Sequence, residues 1–153
     1  MADIPSLLQR GYRYAVALTA DPVAADDLLQ DAWLAVLRAN GPREAPYLFR
    51  AIRSRWIDRY RKESRTPITL EEAPVVAIRA PQDRLVESDA LWHGLAALSD
   101  EQREVVYLMV VEGWSAAEVA ERTGRPRNTV LSTLRRGKQN LQTWFVRRGL
   151  GAN

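Results

Sequence analysis

The sequence predicts an all-α chain: two small helical domains joined by a flexible linker, the C-terminal one containing a helix-turn-helix. Three observations carry that prediction. Apolar residues recur at i, i+3, i+4 and i+7 through most of the chain. The period lapses across residues 63–88, where Pro67, Pro74 and Pro81 fall among polar residues and mark a linker. The stretch GWSAAEVAERTGRPRNTVLSTLRRGKQNL, residues 113–141, then carries the stop, turn and restart signals of two short helices.

The first helix is expected over residues 5–20. Leu7, Leu8, Tyr12, Ala15 and Leu18 lie at helical spacing, and Asp21-Pro22 ends it. A second runs from about Val23 to Arg38, with Ala25, Leu28, Leu29, Ala32, Trp33, Val36 and Leu37 as its inward stripe. Asp26 and Asp27 suit the first-turn dipole. Gln30 and Asp31 sit further in, where the dipole no longer accounts for them. Asn40-Gly41-Pro42 breaks this helix, and a loop runs to Pro46. A third helix, Tyr47 to about Lys62, offers Leu48, Phe49, Ile52, Trp56, Ile57 and Tyr60 for packing. Arg50, Arg53, Arg55, Arg59, Arg61 and Lys62 are spread around its remainder. Arginines interleaved with aromatics suit nucleic acid, because bases stack on rings and guanidinium pairs with phosphate. Trp56 and Tyr60 fit a plain core equally well.

The linker is acidic at Glu71-Glu72 and apolar at Val75, Val76 and Ile78. A fourth helix is expected from roughly Asp83 to Ala97. A fifth follows, capped by Ser99 or Asp100, with Val105, Leu108, Met109 and Val111 on its buried side. Ser115 and Glu118 have the spacing of a capping box. Ala116, Val119 and Ala120 continue that helix, and Thr123-Gly124 supplies its stop. The last helix starts near Pro126, a residue tolerated in a first turn. Val130, Leu134 and Leu141 face inward, and Arg127, Asn128, Leu131, Arg135 and Lys138 lie elsewhere on its surface. Trp144 and Phe145 lock its end back onto the bundle. Two short helices joined by a glycine turn, the second one basic, form the DNA-binding helix-turn-helix arrangement.

Composition excludes several classes of function. With 153 residues, no cysteine and the single His93, the chain has no disulfide framework and little for a metal site. No apolar run spans a membrane, and the N-terminus lacks the shape of a signal peptide, so a cytoplasmic protein is expected. No glycine-rich phosphate loop, nucleophile motif or paired carboxylates point to an enzyme, and no cofactor is implied. The net charge of +3 conceals a segregation. Residues 41–65 carry eight Lys/Arg against three acids, and residues 124–153 carry seven against none. Residues 66–101 between them carry two against seven. Two basic blocks separated by an acidic stretch point to two nucleic-acid contacts.

The two halves together resemble a sigma-70 class sigma factor in its small, extracytoplasmic-function (ECF) form. AADDLLQDAWLAVLR followed by PYLFRAIRSRWIDRYRK is similar to the family's domain two, implying a domain over 1–63. LSDEQREVVYLMVVEGWSAAEVAERTGRPRNTVLSTLRRGKQNL is similar to domain four, implying a domain over 89–153, with 64–88 as linker. The resemblance implies core RNA polymerase and promoter DNA as partners, and it leaves room for an anti-sigma factor. It implies docking on polymerase by Asp27, Gln30, Asp31 and Trp33. Minus-ten DNA, with a flipped base, falls to Asn40, Arg43, Arg53, Trp56 and Arg59. Minus-thirty-five duplex falls to Arg125, Arg127, Asn128, Thr129, Leu131, Ser132, Arg135, Arg136 and Lys138. The family commonly has basic residues at the positions of Leu131 and Thr133, and small or apolar ones at those of Arg125 and Arg127. Its contacts are therefore expected to have moved toward the helix N-terminus. A plain turn accounts for Asn40-Gly41-Pro42 as well as a base pocket does. The competing class is a response-regulator-type transcription factor that binds duplex DNA without polymerase. Such a factor has no use for the N-terminal signature.

Overall fold

Pro5 and Pro22 each sit in the first turn of a helix, where the N–H they lack would have no helical partner. In the computed structural model, which describes residues 3–63 and 89–149, they open α1 (Ile4–Thr19) and α2 (Pro22–Arg38). Two residues connect these helices. Ala20 takes a left-handed backbone, φ 55°, and its N–H returns to the Val16 carbonyl at 2.7 Å. Asp21 then caps α2, its Oδ1 accepting from the Val23 N–H at 3.0 Å. The sharp turn places α2 directly against α1.

The third helix, α3 (Ala45–Glu63), starts two residues before the expected Tyr47. Pro46 belongs to its first turn and not to the loop, and the Leu48 N–H bonds to the Glu44 carbonyl at 3.0 Å. Each of the three helices packs on the other two. Tyr14 stacks on Phe49 with ring centroids 4.5 Å apart, and Leu18, Leu28, Leu48 and Ile52 complete a buried core. Gly11 sits where they converge. A Cβ there would lie 2.8 Å from Leu48 Cδ2 and 2.9 Å from Leu29 Cδ1, so glycine permits the close approach of all three helices. Leu37 departs from its expected inward position and is 41% exposed. It lies in the last turn of α2, and Leu34, 47% exposed, sits one turn before it.

The second unit holds α4 (Asp89–Ala96), α5 (Asp100–Val106), α6 (Ala116–Thr123) and α7 (Arg127–Arg147). The expected start of α4 near Asp83 lies outside the described residues, as do Glu71, Glu72, Val75, Val76 and Ile78. Ser99 is the cap of α5, its hydroxyl oxygen accepting from the Gln102 N–H at 3.2 Å. The helix then widens into a π-helical turn, Tyr107–Val111, and the Glu112 N–H returns to the Tyr107 carbonyl at 3.1 Å. That widening changes which face is buried. Val105 and Leu108 are buried as expected, Met109 is half-buried, and Val111 turns outward to 43% exposure. Trp92 and Tyr107 supply large buried rings instead, with centroids 5.9 Å apart. Gly94 gives α4 its seat on α7, since a Cβ there would lie 2.6 Å from Leu141 Cδ1 and 3.2 Å from Trp144. Trp144 thus ties the end of α7 to the bundle, edge-on to Phe145 and beneath the Arg148 guanidinium. Among the described residues there is no strand, and no helix is long and apolar enough to cross a membrane.

The left-handed Ala20 gives a direct test of the α1–α2 turn. A Cβ in that conformation is disfavoured by about 1–2 kcal/mol, part of which the greater freedom of unfolded glycine offsets. Ala20→Gly is therefore expected to stabilise the protein by about 0.5–1 kcal/mol in urea unfolding, whereas glycine at an ordinary helical position would destabilise it.

Candidate nucleic-acid interface

The helix-turn-helix forms from short-range signals. The Ser115 hydroxyl oxygen accepts from the Glu118 N–H at 3.1 Å, and Glu118 Oε1 accepts from the Ser115 N–H at 3.3 Å. This reciprocal cap satisfies two N–H groups that the first turn of α6 leaves open. Gly124, at φ 72°, ends α6 in the left-handed region, and its N–H returns to the Ala120 carbonyl at 2.9 Å. Pro126 leads into α7.

Val130, Thr133 and Gly137 form the buried line of α7, with Leu134 and Leu141 half-buried beside it. Thr133 and Gly137 were not expected there. Their spacing from Val130 was available, but a hydroxyl and a glycine do not announce a core. Gly137 is needed because a Cβ would lie 2.8 Å from Val106 Cγ2 on α5. The expected recognition residues fall mostly on the opposite side. Arg127, Asn128, Thr129, Leu131, Arg135, Arg136 and Lys138 are exposed, and Ser132 is half-buried with its hydroxyl donating to the Thr129 carbonyl at 3.1 Å.

Arg125, also expected among the duplex-reading residues, is half-buried in the turn before α7. Its guanidinium is turned toward α5, with Nη1 3.5 Å from Glu104 Oε1 and Nη2 3.9 Å from Glu101. The Glu104 side chain is fully buried, and this guanidinium lies beside it. Arg125 therefore sets a guanidinium between the turn and α5.

On the first unit, Asp27, Gln30 and Asp31 are exposed along α2, and Trp33 is half-buried beside them. Leu34 extends the same stripe, one turn beyond Gln30 and two beyond Asp27, so an exposed apolar group borders the acids. Its spacing from Asp27 and Gln30 was the available signal. Gln30 Nε2 donates to Asp26 Oδ2 at 3.0 Å. Asp31 forms an ion pair with Arg59 of α3. The sequence assigns those two residues to different partners; the fold sets them side by side, each still partly exposed. Arg53 and Trp56, also on α3, are half-buried.

The connection between α2 and α3 is well defined. Asn40 takes a left-handed backbone, φ 49°, with its N–H bonded to the Leu37 carbonyl at 3.1 Å. The Gly41 N–H reaches the Val36 carbonyl at 3.0 Å, completing a Schellman cap on α2. Arg43 Nη1 donates to Asn40 Oδ1 at 3.1 Å and to the Gly41 carbonyl at 2.6 Å. A Cβ on Gly41 would lie 2.3 Å from the Tyr47 ring, so the glycine admits that ring, a partner the sequence did not reveal. The loop is thus a braced turn that presents one amide and one guanidinium together. Among the described residues no cluster of His, Cys, Asp and Glu is suited to a metal.

Comparison with known proteins supplies the family. The family models for sigma-70 region 2 and sigma-70 region 4 match residues 5–66 and 88–141. The ECF RNA polymerase sigma factor SigL of Mycobacterium tuberculosis is 31% identical over 140 residues, spanning 80% of this chain and 75% of that protein. RNA polymerase sigma-E factor of Streptomyces coelicolor is 34% identical over 145 residues, spanning 92% of this chain and 82% of that one. The fold is shared with the sigma factor RpoE of Bartonella quintana, solved in complex with the anti-sigma factor NepR. The TM-score there is 0.71 at 23% identity, over 92% of each chain. With both regions matched in order and these relatives similar along most of their length, the chain belongs to the sigma-70 family of RNA polymerase sigma factors, in its ECF form.

Proposed function

We propose that the chain acts in the cytoplasm as a dissociable specificity subunit that carries core RNA polymerase to promoters and performs no chemistry of its own. One observation carries the reading: two basic helices, α3 and α7, are built on two separately packed units. Residues 1–63 are assigned to polymerase docking and the minus-ten element, 89–153 to the minus-thirty-five element, and 64–88 to the linker between them. Asp27, Gln30, Asp31 and Trp33 on α2 meet polymerase. Asn40, Arg43, Arg53, Trp56 and Arg59 meet the opened minus-ten strand, where stacking and phosphate contacts offset the few kcal/mol of unstacking. Arg125, Arg127, Asn128, Thr129, Leu131, Ser132, Arg135, Arg136 and Lys138 meet the minus-thirty-five duplex. A regulator that binds duplex DNA alone would account for α7 and leave α1–α3 without a task.

The Asp31–Arg59 pair complicates the obvious test of docking and also improves it. An exposed pair of this kind is worth about 0.2–1 kcal/mol, so opening it to receive a partner is inexpensive. Asp31→Lys is expected to weaken core polymerase binding about tenfold or more, with little change in thermal stability. The exchanged variant, Asp31→Arg with Arg59→Asp, restores the pair and should still bind core poorly. Normal core binding by Asp31→Lys would refute the docking assignment.

The loop calls for a similar control, because Asn40→Ala would strain the left-handed cap as well as remove the amide. Asn40→Gly keeps the backbone and removes only the side chain. It is expected to reduce permanganate reactivity of the melted strand and to alter base preference at one minus-ten position, while core binding stays intact. Unchanged reactivity and preference would leave the loop as a connector.

A further inference from the structure

On the first turns of α7 the exposed face runs through Arg127, Asn128, Leu131 and Arg135. Leu131, 39% exposed, lies one turn from each of the two arginines. A single exposed leucine is ordinary on a protein surface, but this one has a particular setting. The helix packs on its own unit through Val130, Thr133 and Gly137, and Leu131 is not part of that line. It is the fifth residue of a recognition helix, in the N-terminal portion that enters the major groove in this motif. The arginines on either side suit phosphates or guanine edges, and Asn128 suits an adenine edge. Nearby polar groups are already engaged within the protein, the Ser132 hydroxyl with the Thr129 carbonyl and Arg125 with Glu104. The apolar feature that a base edge presents in the major groove is the C5 methyl of thymine.

We propose that Leu131 is a specificity-determining residue that recognises the C5 methyl group of one thymine in the minus-thirty-five element. This rests on the proposed reading of α7 as the minus-thirty-five helix and names the chemical group one of its positions detects. Leu131 offers neither a hydrogen bond nor a charge, so it discriminates through apolar burial alone. A basic residue at this position would add a phosphate or guanine contact. Leucine exchanges that for sensitivity to a methyl.

Deoxyuridine pairs as thymidine does and lacks only the methyl, which makes the test specific. A promoter fragment is first selected from a randomised library by the chain assembled with core polymerase. Each thymine of its minus-thirty-five element, on either strand, is then replaced in turn by deoxyuridine, and holoenzyme binding is measured. One position is expected to lose about three- to fivefold in affinity, the value of burying one methyl group. Leu131→Ala should bind the thymine probe as weakly as the wild type binds the uracil probe and should no longer distinguish them. Leu131→Lys should also lose the distinction while gaining a steeper salt dependence. Wild-type binding indifferent to every replacement, or Leu131→Ala retaining full sensitivity, would overturn the assignment. So would a loss with Leu131→Ala that is equal on all probes, which would place Leu131 against polymerase. A holoenzyme that selects no minus-thirty-five sequence at all would overturn the reading of α7 itself, a result distinguishable from indifference to the methyl.

Discussion

The direction in which α7 leaves its turn depends on a buried charge. Glu104 is fully buried on α5, and Arg125, with its side chain 18% exposed, reaches it from the residue after Gly124. Removing a carboxylate from water costs several kcal/mol unless a cation and hydrogen bonds compensate. The pair therefore binds the turn between α6 and α7 to α5. A second restraint acts further along, where Gly137 lets α7 lie against Val106 and Gln102 of α5, and Asn140 Nδ2 donates to Gln102 Oε1 at 3.2 Å. Held at two points, α7 has one orientation on its unit, and Arg127, Leu131 and Arg135 face away from the buried line.

The first unit uses charge differently. Asp31 and Arg59 pair at the surface, with side chains 53% and 39% exposed, so solvent weakens their attraction and either can be drawn to another partner. One pair is architecture and the other is exchangeable, and burial makes the difference. The same consideration applies to the basic blocks at 41–65 and 124–153. Their cations outnumber the neighbouring acids, and the surplus remains for an anionic partner.

Much of this was legible in the sequence because the determinants are local. The Ser115–Glu118 cap, the stop at Gly124 and the proline starts act within one helical turn, and both helix-turn-helix elements follow from them. The residues that spacing misplaced depend on position at a helix end, on contacts between distant segments or on a change in helix winding. Leu37 has the period of a core residue but falls in the last turn of α2, where it stays exposed. Val111 turns outward because the helix widens at Tyr107–Val111. Arg125 has the sign of a DNA contact, and its place beside Glu104 is a contact between segments that spacing does not reveal. Asn40 was legible as a turn residue or as a base contact; its left-handed backbone supplies a structural reason for it without removing the functional one.

Specificity for promoters is expected to arise only when the chain is joined to core polymerase. Binding of a labelled promoter fragment should be compared for the chain alone, core alone and the two together, at one fixed salt concentration. The expected result is weak, sequence-indifferent binding by the chain alone, and sequence-specific retention with start-site transcription when both are present. Tight, sequence-specific binding by a dimer of the chain without polymerase would contradict it.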